Sequence, residues 1–320
     1  MRKRTVFGFG FTSAMVCIYL MNASWIVGMP DGDFSLLAHP GVHQTYHREG
    51  LTNATCTAER IDPPAHGFIE NTISSMRAAI EAGADIIELD VKLTTDGEIV
   101  VFHDATLDCR TNGSGKTHHH SLSELQALDI GYGYTPDGGQ TYPFRGEFIG
   151  IMPTLREVLT VFPETNFMVN LKHSKASEGE VYRNYITATD AERLGLVAPN
   201  RAAAPIIAAY PDMILQTRQN VKACLRGYTL TGWYGGMPES CKNTYVSVPS
   251  NLRYFIWGWP HRFEKRLQAV GSRSMLLGPY EGNGSVGIDT PKDLNVIPKN
   301  YTGIVFTNKI EVIGPQISPN

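Results

Sequence analysis

The stretch Gly83–Asp104, GADIIELDVKLTTDGEIVVFHD, constrains the fold more than any other part of the chain. Two short apolar runs flank an Asp96-Gly97 turn and read as neighbouring strands. Alternate side chains on a strand face opposite ways, so Glu88 and Asp90 share one face while Ile87, Leu89 and Val91 share the other. Acids are scarce in strands, and the flanking residues read as buried. Two carboxylates on one buried face must be ion-paired, hydrogen-bonded or bound to a metal. A solvated strand face or a structural salt bridge is the alternative.

Beyond this run, strand-like and helix-like segments alternate. Residues 35–39, 85–91, 98–103 and 166–172 read as strands, followed by PIIAAY (205–210), YTLTGW (228–233), RYFIWGW (253–259) and GIVFTN (303–308). Helical patterns cover ENTISSMRAAIEAG, SLSELQAL (opening with a Ser121/Glu124 capping box), MPTLREVLTVF, and the regions around 212–224, 261–270 and 291–296. About eight strands in 320 residues predict an α/β protein of the (β/α)8 TIM-barrel class, with a doubly wound open sheet as the alternative. In such a barrel, functional side chains sit at the C-terminal ends of the strands. His39, Glu88 with Asp90, His103, and Asn170 with Lys172 all fall there.

The donors in this set are two acids and an amide, an all-oxygen group that suits Mg²⁺ or Ca²⁺ better than zinc. The histidines add proton carriers that work near neutral pH. With a lysine, the set suits phosphodiester cleavage. A Schiff-base role for Lys172 is disfavoured because a neighbouring ligand carboxylate would keep it charged.

The N-terminus differs in kind. After MRKR, residues Val6–Gly28 carry no charge and are long enough to cross a bilayer. Residues 1–30 therefore read as a membrane anchor or a cleaved signal, with 31–320, the catalytic barrel, outside the cytoplasm. That setting permits disulfides, and 56–109 with 224–241 is the expected pairing, four separate thiols being the alternative. A net charge of −3 gives no nucleic-acid footprint. Segment 40–69 is a long insert after the first strand, expected to lie over the same rim and shape the pocket. The triplet His118–His120 reads as a solvated turn, and GYGYTPDGG lacks the strand and helix that a dinucleotide fingerprint requires. Trp257 is a candidate for packing against a glycerol or lipid moiety.

In order along the chain, LLAHPG, ENT, GADIIELDVKLTTDG, VVFHDATLDCRTNGSG, SLSELQALDIG, MPTLREVL and NLK, with weaker support from GIDTPKDL and FTN, resemble the glycerophosphodiester phosphodiesterase family of metal-dependent TIM barrels. The resemblance implies metal ligands at Glu88 and Asp90 and catalytic histidines at His39 and His103. It implies a phosphate-contacting Lys172 and a rim motif at Glu70 and Asn71. The implied products are sn-glycerol 3-phosphate and an alcohol. Two departures stand out. Pro40 replaces the arginine of the usual H-R-G, with Arg48, Arg60 or Lys172 as candidate replacements. Asn170 stands where a third ligand glutamate is usual. A phospholipase D-like activity on lysophospholipid or sphingomyelin, and a non-catalytic glycerophosphodiester-binding protein, are the other readings.

Overall fold

The computed structural model describes every residue except 1–11, 14, 29–31, 53–54, 173, 283–285 and 318–320. Eight strands run parallel: β1 (Ser35–Ala38), β2 (Ile86–Leu93), β4 (Asn166–Leu171), β5 (Leu194–Val197), β6 (Leu215–Gln216), β7 (Tyr245–Pro249), β8 (Arg273–Leu277) and β9 (Ile304–Thr307). Their order is β6-β5-β4-β2-β1-β9-β8-β7. The two end strands approach each other through Leu215 N–H donating to Asn243 O (2.9 Å) and Gln216 Nε2 to Ser247 Oγ (3.2 Å), so the sheet curls into a near-closed barrel. The ninth strand, β3 (Ile99–Val101), is antiparallel to β2 and lies outside this ring. His103 thus follows a hairpin strand, whereas the sequence predicts a third barrel strand.

Strand periodicity sorts the side chains. On the outer face Ile87, Leu89 and Val91 pack with Met76, Leu155 and Val169 in the main core beneath the helices. On the inner face Leu37, Ile86, Met168 and Phe306 fill the barrel. Two or four residues further along the same strand faces come His39, Glu88 with Asp90, Asn170 with Lys172, and Asn308. The apolar plug therefore gives way to polar groups toward the C-terminal mouth. A cavity of about 560 Å³ at the opposite end, lined by Ser35, Ile86, Asn166, Tyr245 and Arg273 among others, holds none of these groups.

The α-helices after β1 are, among the described residues, α1 (Ile73–Glu81), α2 (Leu122–Gln126), α3 (Leu155–Val161), α4 (Ala176–Tyr185), α5 (Ala188–Arg193), α6 (Asn200–Ala209), α7 (Arg218–Thr231), α8 (His261–Gln268) and α9 (Ile310–Ile317). The Ser121/Glu124 capping box forms at α2, and Thr154 with Glu157 makes another at α3. Three sequence-predicted strands are corrected. PIIAAY lies mostly in α6, which buries Ala202, Ala203 and Ile206 and carries Pro205 in its interior. YTLTGW ends α7, where Cys224 and Tyr228, one turn apart, face the core. RYFIWGW is a loop with a 3-10 turn at Arg253–Phe255. Short apolar runs do not distinguish a buried helix from a strand.

Both expected disulfides form, Cys56–Cys109 and Cys224–Cys241, with Cα separations of 5.5 and 4.7 Å. The described residues of segment 40–69 pack against the barrel domain. Among them, Ala58, Ile61 and Ile69 share a second core with Val100, Phe102, Leu107, Tyr134 and Phe148, and the Cys56–Cys109 bridge ties the two parts together. The uncharged run Val6–Gly28 falls partly outside the described residues. Residues 15–22 are helical. No helix among the described residues is long and apolar enough to cross a membrane.

Candidate active site

Glu88 and Asp90 are 3% and 0% exposed on the inner face of β2. Register pairs Asp90 with Asn170 on β4. Asn170 Nδ2 donates to Glu88 Oε1 (3.1 Å), and Lys172 Nζ stands 2.9 Å from Asp90 Oδ1. Asn71 holds Asp90 from the other side, its Oδ1 accepting from Asp90 N (3.0 Å) and its Nδ2 donating to Asp90 Oδ2 (3.4 Å). To reach both atoms Asn71 adopts φ 61°, a left-handed conformation that asparagine tolerates better than most residues.

Burial, reinforced by the charge of Asp90, pushes Glu88 well above the ordinary carboxylate range. Burial also works to raise Asp90, but Lys172 overrides it and holds that group low. Lys172 is in turn raised, since Asp90 and Glu88 outweigh its own burial. Glu88 Oε2 is buried without a hydrogen-bond partner, whereas Asp90 Oδ1 is met by the Lys172 ammonium alone. Buried oxygens of this kind call for a cation or a proton. Among the described residues no three His, Cys, Asp or Glu side chains converge as a metal cluster. The fitting donors are therefore two carboxylates and the Asn170 amide, a set suited to a hard dication that takes its remaining ligands from water or substrate.

His39 directly follows β1 and is joined to Pro40 by a cis bond. Its Nδ1 is 2.9 Å from Asn308 Oδ1, its Nε2 is 3.8 Å from Glu88 Oε2, and its ring lies 5.0 Å from that of Phe306. Asn308 is itself fixed by Asp289, which accepts from the Asn308 backbone N–H (2.7 Å) and from Nδ2 (2.9 Å). Burial lowers the His39 pKa to about 4, although a third of the side chain meets solvent. Gly41 supplies the bend after Pro40. At φ 84° a Cβ there would lie 2.5 Å from Ser75 Oγ.

His103 is held differently. Its Nδ1 pairs with Asp104 Oδ1 at 2.6 Å, and nearly half of the side chain is exposed. Arg110 Nε donates to Asp104 Oδ2 (2.9 Å), and its other nitrogens reach Glu70, Tyr134 and Thr57. Burial would raise Asp104, but Arg110, with His103, keeps it far below the usual range. Glu70 is lowered in the same way, Arg110 overriding burial. Its carboxylate is committed to Arg110 and Tyr134.

The sequence-predicted set thus assembles in large part. His39, Glu88, Asp90, Asn170 and Lys172 form one network, Asn71 braces it, and Glu70 joins the Arg110 network that supports His103. Two residues stand apart. Arg60 is half-buried and donates to Glu49 O (3.0 Å), lining a cleft of about 610 Å³ beside residues 47–49 and 55–60. Trp257 packs on the outside of the barrel, its Nε1 donating to Thr229 O of α7 (3.1 Å). Sequence reasoning missed Asp104, Arg110, Asp289 and Asn308 as supports, although each lies in or beside a quoted motif. It also missed His43, which is buried with an unpartnered Nδ1 and has its pKa lowered by burial against the opposing charge of Glu70.

Comparison with known proteins bears on the same residues. Residues 57–204 match the glycerophosphoryl diester phosphodiesterase family model. A glycerophosphodiester phosphodiesterase of Caldanaerobacter subterraneus is 45% identical over 103 residues, which span 32% of this chain and 39% of that relative. The glycerophosphoryl diester phosphodiesterase domain of a Mycobacterium tuberculosis protein superposes with a TM-score of 0.62 at 17% identity, covering 90% of this chain and 100% of that domain. An Oleispira antarctica phosphodiesterase, solved in complex with the product sn-glycerol-3-phosphate, gives 0.51 at 18% identity over 92% of this chain and 100% of that one. The fold is therefore shared along most of the chain, and the sequence likeness is concentrated where the site is built: residues 57–204 are similar to the glycerophosphoryl diester phosphodiesterase family, and the chain spans about two fifths of the length of the relative it matches.

Proposed function

We propose that the protein is a divalent-cation-dependent glycerophosphodiester phosphodiesterase that releases sn-glycerol 3-phosphate and an alcohol. One observation carries this reading: two buried carboxylates, one with an orphaned oxygen and the other paired with Lys172, lie beside two histidines, each oriented by its own partner. Glu88, Asp90 and Asn170 would hold Mg²⁺ or Ca²⁺. When bound, such an ion polarises a phosphoryl oxygen and offsets the charge that builds on it.

The roles of the histidines follow from their hydrogen bonds. Asn308 commits its Nδ2 to Asp289, so its Oδ1 accepts from His39 Nδ1–H. The lone pair is left on His39 Nε2, which faces Glu88 and takes the proton from an attacking glycerol hydroxyl or water; attack by the hydroxyl leaves a cyclic phosphodiester, which water then opens to glycerol 3-phosphate with the two histidines exchanging roles. His103 donates Nδ1–H to Asp104, which stabilises the imidazolium, and its Nε2–H protonates the departing alkoxide. Lys172 stays charged beside Asp90 and pairs with a phosphate oxygen, supplying part of what the missing H-R-G arginine would give.

The same reading treats 31–320 as the catalytic unit and 1–30 as an anchor or signal that leaves it outside the cytoplasm. The two disulfides and the uncharged N-terminal run support that location. Packing of residues 22–24 against the barrel favours, as a second reading, phospholipase D-like cleavage of a lysophospholipid. The test incubates the full chain with glycerophosphodiesters and lysophospholipids in Mg²⁺, Ca²⁺ or EDTA, and assays glycerol 3-phosphate, free alcohol and lysophosphatidate. Chelator-sensitive glycerol 3-phosphate release, lost in Glu88→Ala, is the expected result. Lysophosphatidate as the sole product would favour the second reading. Saturable binding without turnover would leave a binding protein.

A further inference from the structure

All four tryptophans of the chain, Trp25, Trp233, Trp257 and Trp259, meet in one outer region of the barrel, far along the sequence from the site-bearing strands. Asn22 Nδ2 donates to Trp233 O (2.7 Å), and Ser24 Oγ donates to Gly258 O (2.8 Å) and Trp259 O (3.0 Å). Arg266 bonds Asn22 Oδ1, Tyr228 Oη and Gly232 O, stitching the N-terminal segment to α7 and α8. Around these anchors the surface is markedly apolar. Trp25 is 70% exposed, Leu230 74%, Tyr254 75% and Phe255 77%. Clusters of this kind on a protein surface mark contact sites.

Charge identifies the contact. Arg218, Lys222 and Arg226 are exposed at one-turn intervals along α7, and Leu230 continues the stripe. Between Met213 and Pro279 the chain has nine lysines and arginines against two acids, Glu239 and the buried Glu264, although its net charge is −3. A helix with a basic stripe, running into a belt of Trp, Tyr and Phe, matches the headgroup layer of an anionic bilayer: cations meet lipid phosphates and aromatic rings sit at the acyl boundary. Continuity supports the same occupant, because the uncharged run from Val6 ends docked on this surface and residues 15–22 present exposed Met15, Val16, Tyr19 and Leu20.

We infer that α7, the turn at Gly232–Tyr234 and the loop after β7 form a surface that lies flat on an anionic lipid bilayer, with residues 15–26, where the N-terminal segment is retained, joining it as an anchor in the plane of the interface. The loop leaves the barrel mouth at Ser250 and Asn251, which bond Gly278 and Tyr280, and reaches α7 at Trp257. Docking there sets the mouth close to the lipid plane. The inference stands independently of the phosphodiesterase reading, since its test measures contact and not turnover.

The test places the full chain, in a Trp25→Phe background, on vesicles of phosphatidylcholine with or without phosphatidylglycerol, containing phosphatidylcholine brominated near the carbonyl end of one acyl chain. The expected result is at least a twofold fall in tryptophan fluorescence on anionic vesicles and a smaller fall on zwitterionic ones. Replacing Arg218, Lys222 and Arg226 by Gln together with Phe255→Ser should raise the lipid concentration for half-maximal quenching at least tenfold, with an unchanged melting temperature. Vesicle-bound protein with unquenched tryptophans overturns the inference, as does quenching that is the same in the variant or indifferent to phosphatidylglycerol. Binding to an acidic polypeptide or an oligonucleotide, with vesicles leaving the fluorescence untouched, overturns it too.

Discussion

The arc β9-β1-β2-β4 and the arc β5 to β8 are built from the same parallel pairing, yet they place buried charge in opposite ways. In the first, Asp90, Asp104 and Glu70 each face a cation: Lys172 for one, Arg110 for the other two. In the second, Glu264 is fully buried against Ser274, whose hydroxyl also meets Tyr301, and burial pushes it up to about 8. The first arc keeps these three acids ionised at the mouth, where charge can act on a substrate, whereas burial and the charge of Asp90 raise Glu88. The second uses an uncharged carboxyl as a packing element. Barrel geometry is therefore neutral about function, and the ion partners decide which acids are chemically available.

Turnover gives the largest expected contrast. His39→Ala and His103→Ala should each lower kcat roughly 10²–10⁴-fold in a glycerol 3-phosphate release assay, the usual range for a lost acid or base. Loss below tenfold for both would break the assignment. Next comes Arg110→Gln, which strands Asp104 and Glu70 together. Denaturant unfolding should show a loss of about 3–5 kcal/mol, as for one partner removed from a buried pair.

Glu264 sharpens the comparison from the other arc. Its folded-state pKa, about 8, lies above the ordinary 4.5, so the folded chain holds an extra proton between those values. Its contribution is complete below pH 4.5 and is lost as pH rises toward 8. Glu264→Gln should flatten that decline and raise stability above pH 8 by about 1–3 kcal/mol, seen as a higher melting temperature. The smallest effect is expected from Asn170→Glu. A third carboxylate should tighten Mg²⁺ or Ca²⁺ binding about tenfold, roughly 1.4 kcal/mol, in calorimetric titration of the substrate-free protein. Unchanged affinity would remove Asn170 from the ligand set.

What the sequence discloses follows the same division. On β1, β2 and β4 polar residues interrupt apolar runs at strand ends, and that irregularity reveals both the element and its chemistry. On the other arc polar residues such as Gln216, Ser247 and Ser274 lie within the strands, but no acid or histidine marks a strand end. The brief β5 run LGLV carries Gly195 because Tyr245 lies across it, leaving 2.2 Å between a would-be Cβ and the tyrosine hydroxyl. That constraint comes from a residue 50 positions away and has no local signature. The aromatic residues of 253–259 mislead for a related reason, since aromatic residues enrich strands and here they stay on the surface. Arg110 and Asp289 were invisible as supports because their partners lie 40 and 19 residues away, at Glu70 and Asn308.

The β2–β3 hairpin has one more consequence. His39 and the carboxylates ride on strands of the ring, whose displacement would disturb the whole barrel. His103 instead ends a three-residue strand held by the pairs Val91–Val101, Lys92–Val100 and Leu93–Ile99, outside the ring. Lengthening or shortening the Asp96-Gly97 turn would move the acid relative to the base while leaving the ring intact. The reach between the two proton carriers, and with it the size of leaving group that fits between them, is open to adjustment by natural variation in a surface turn.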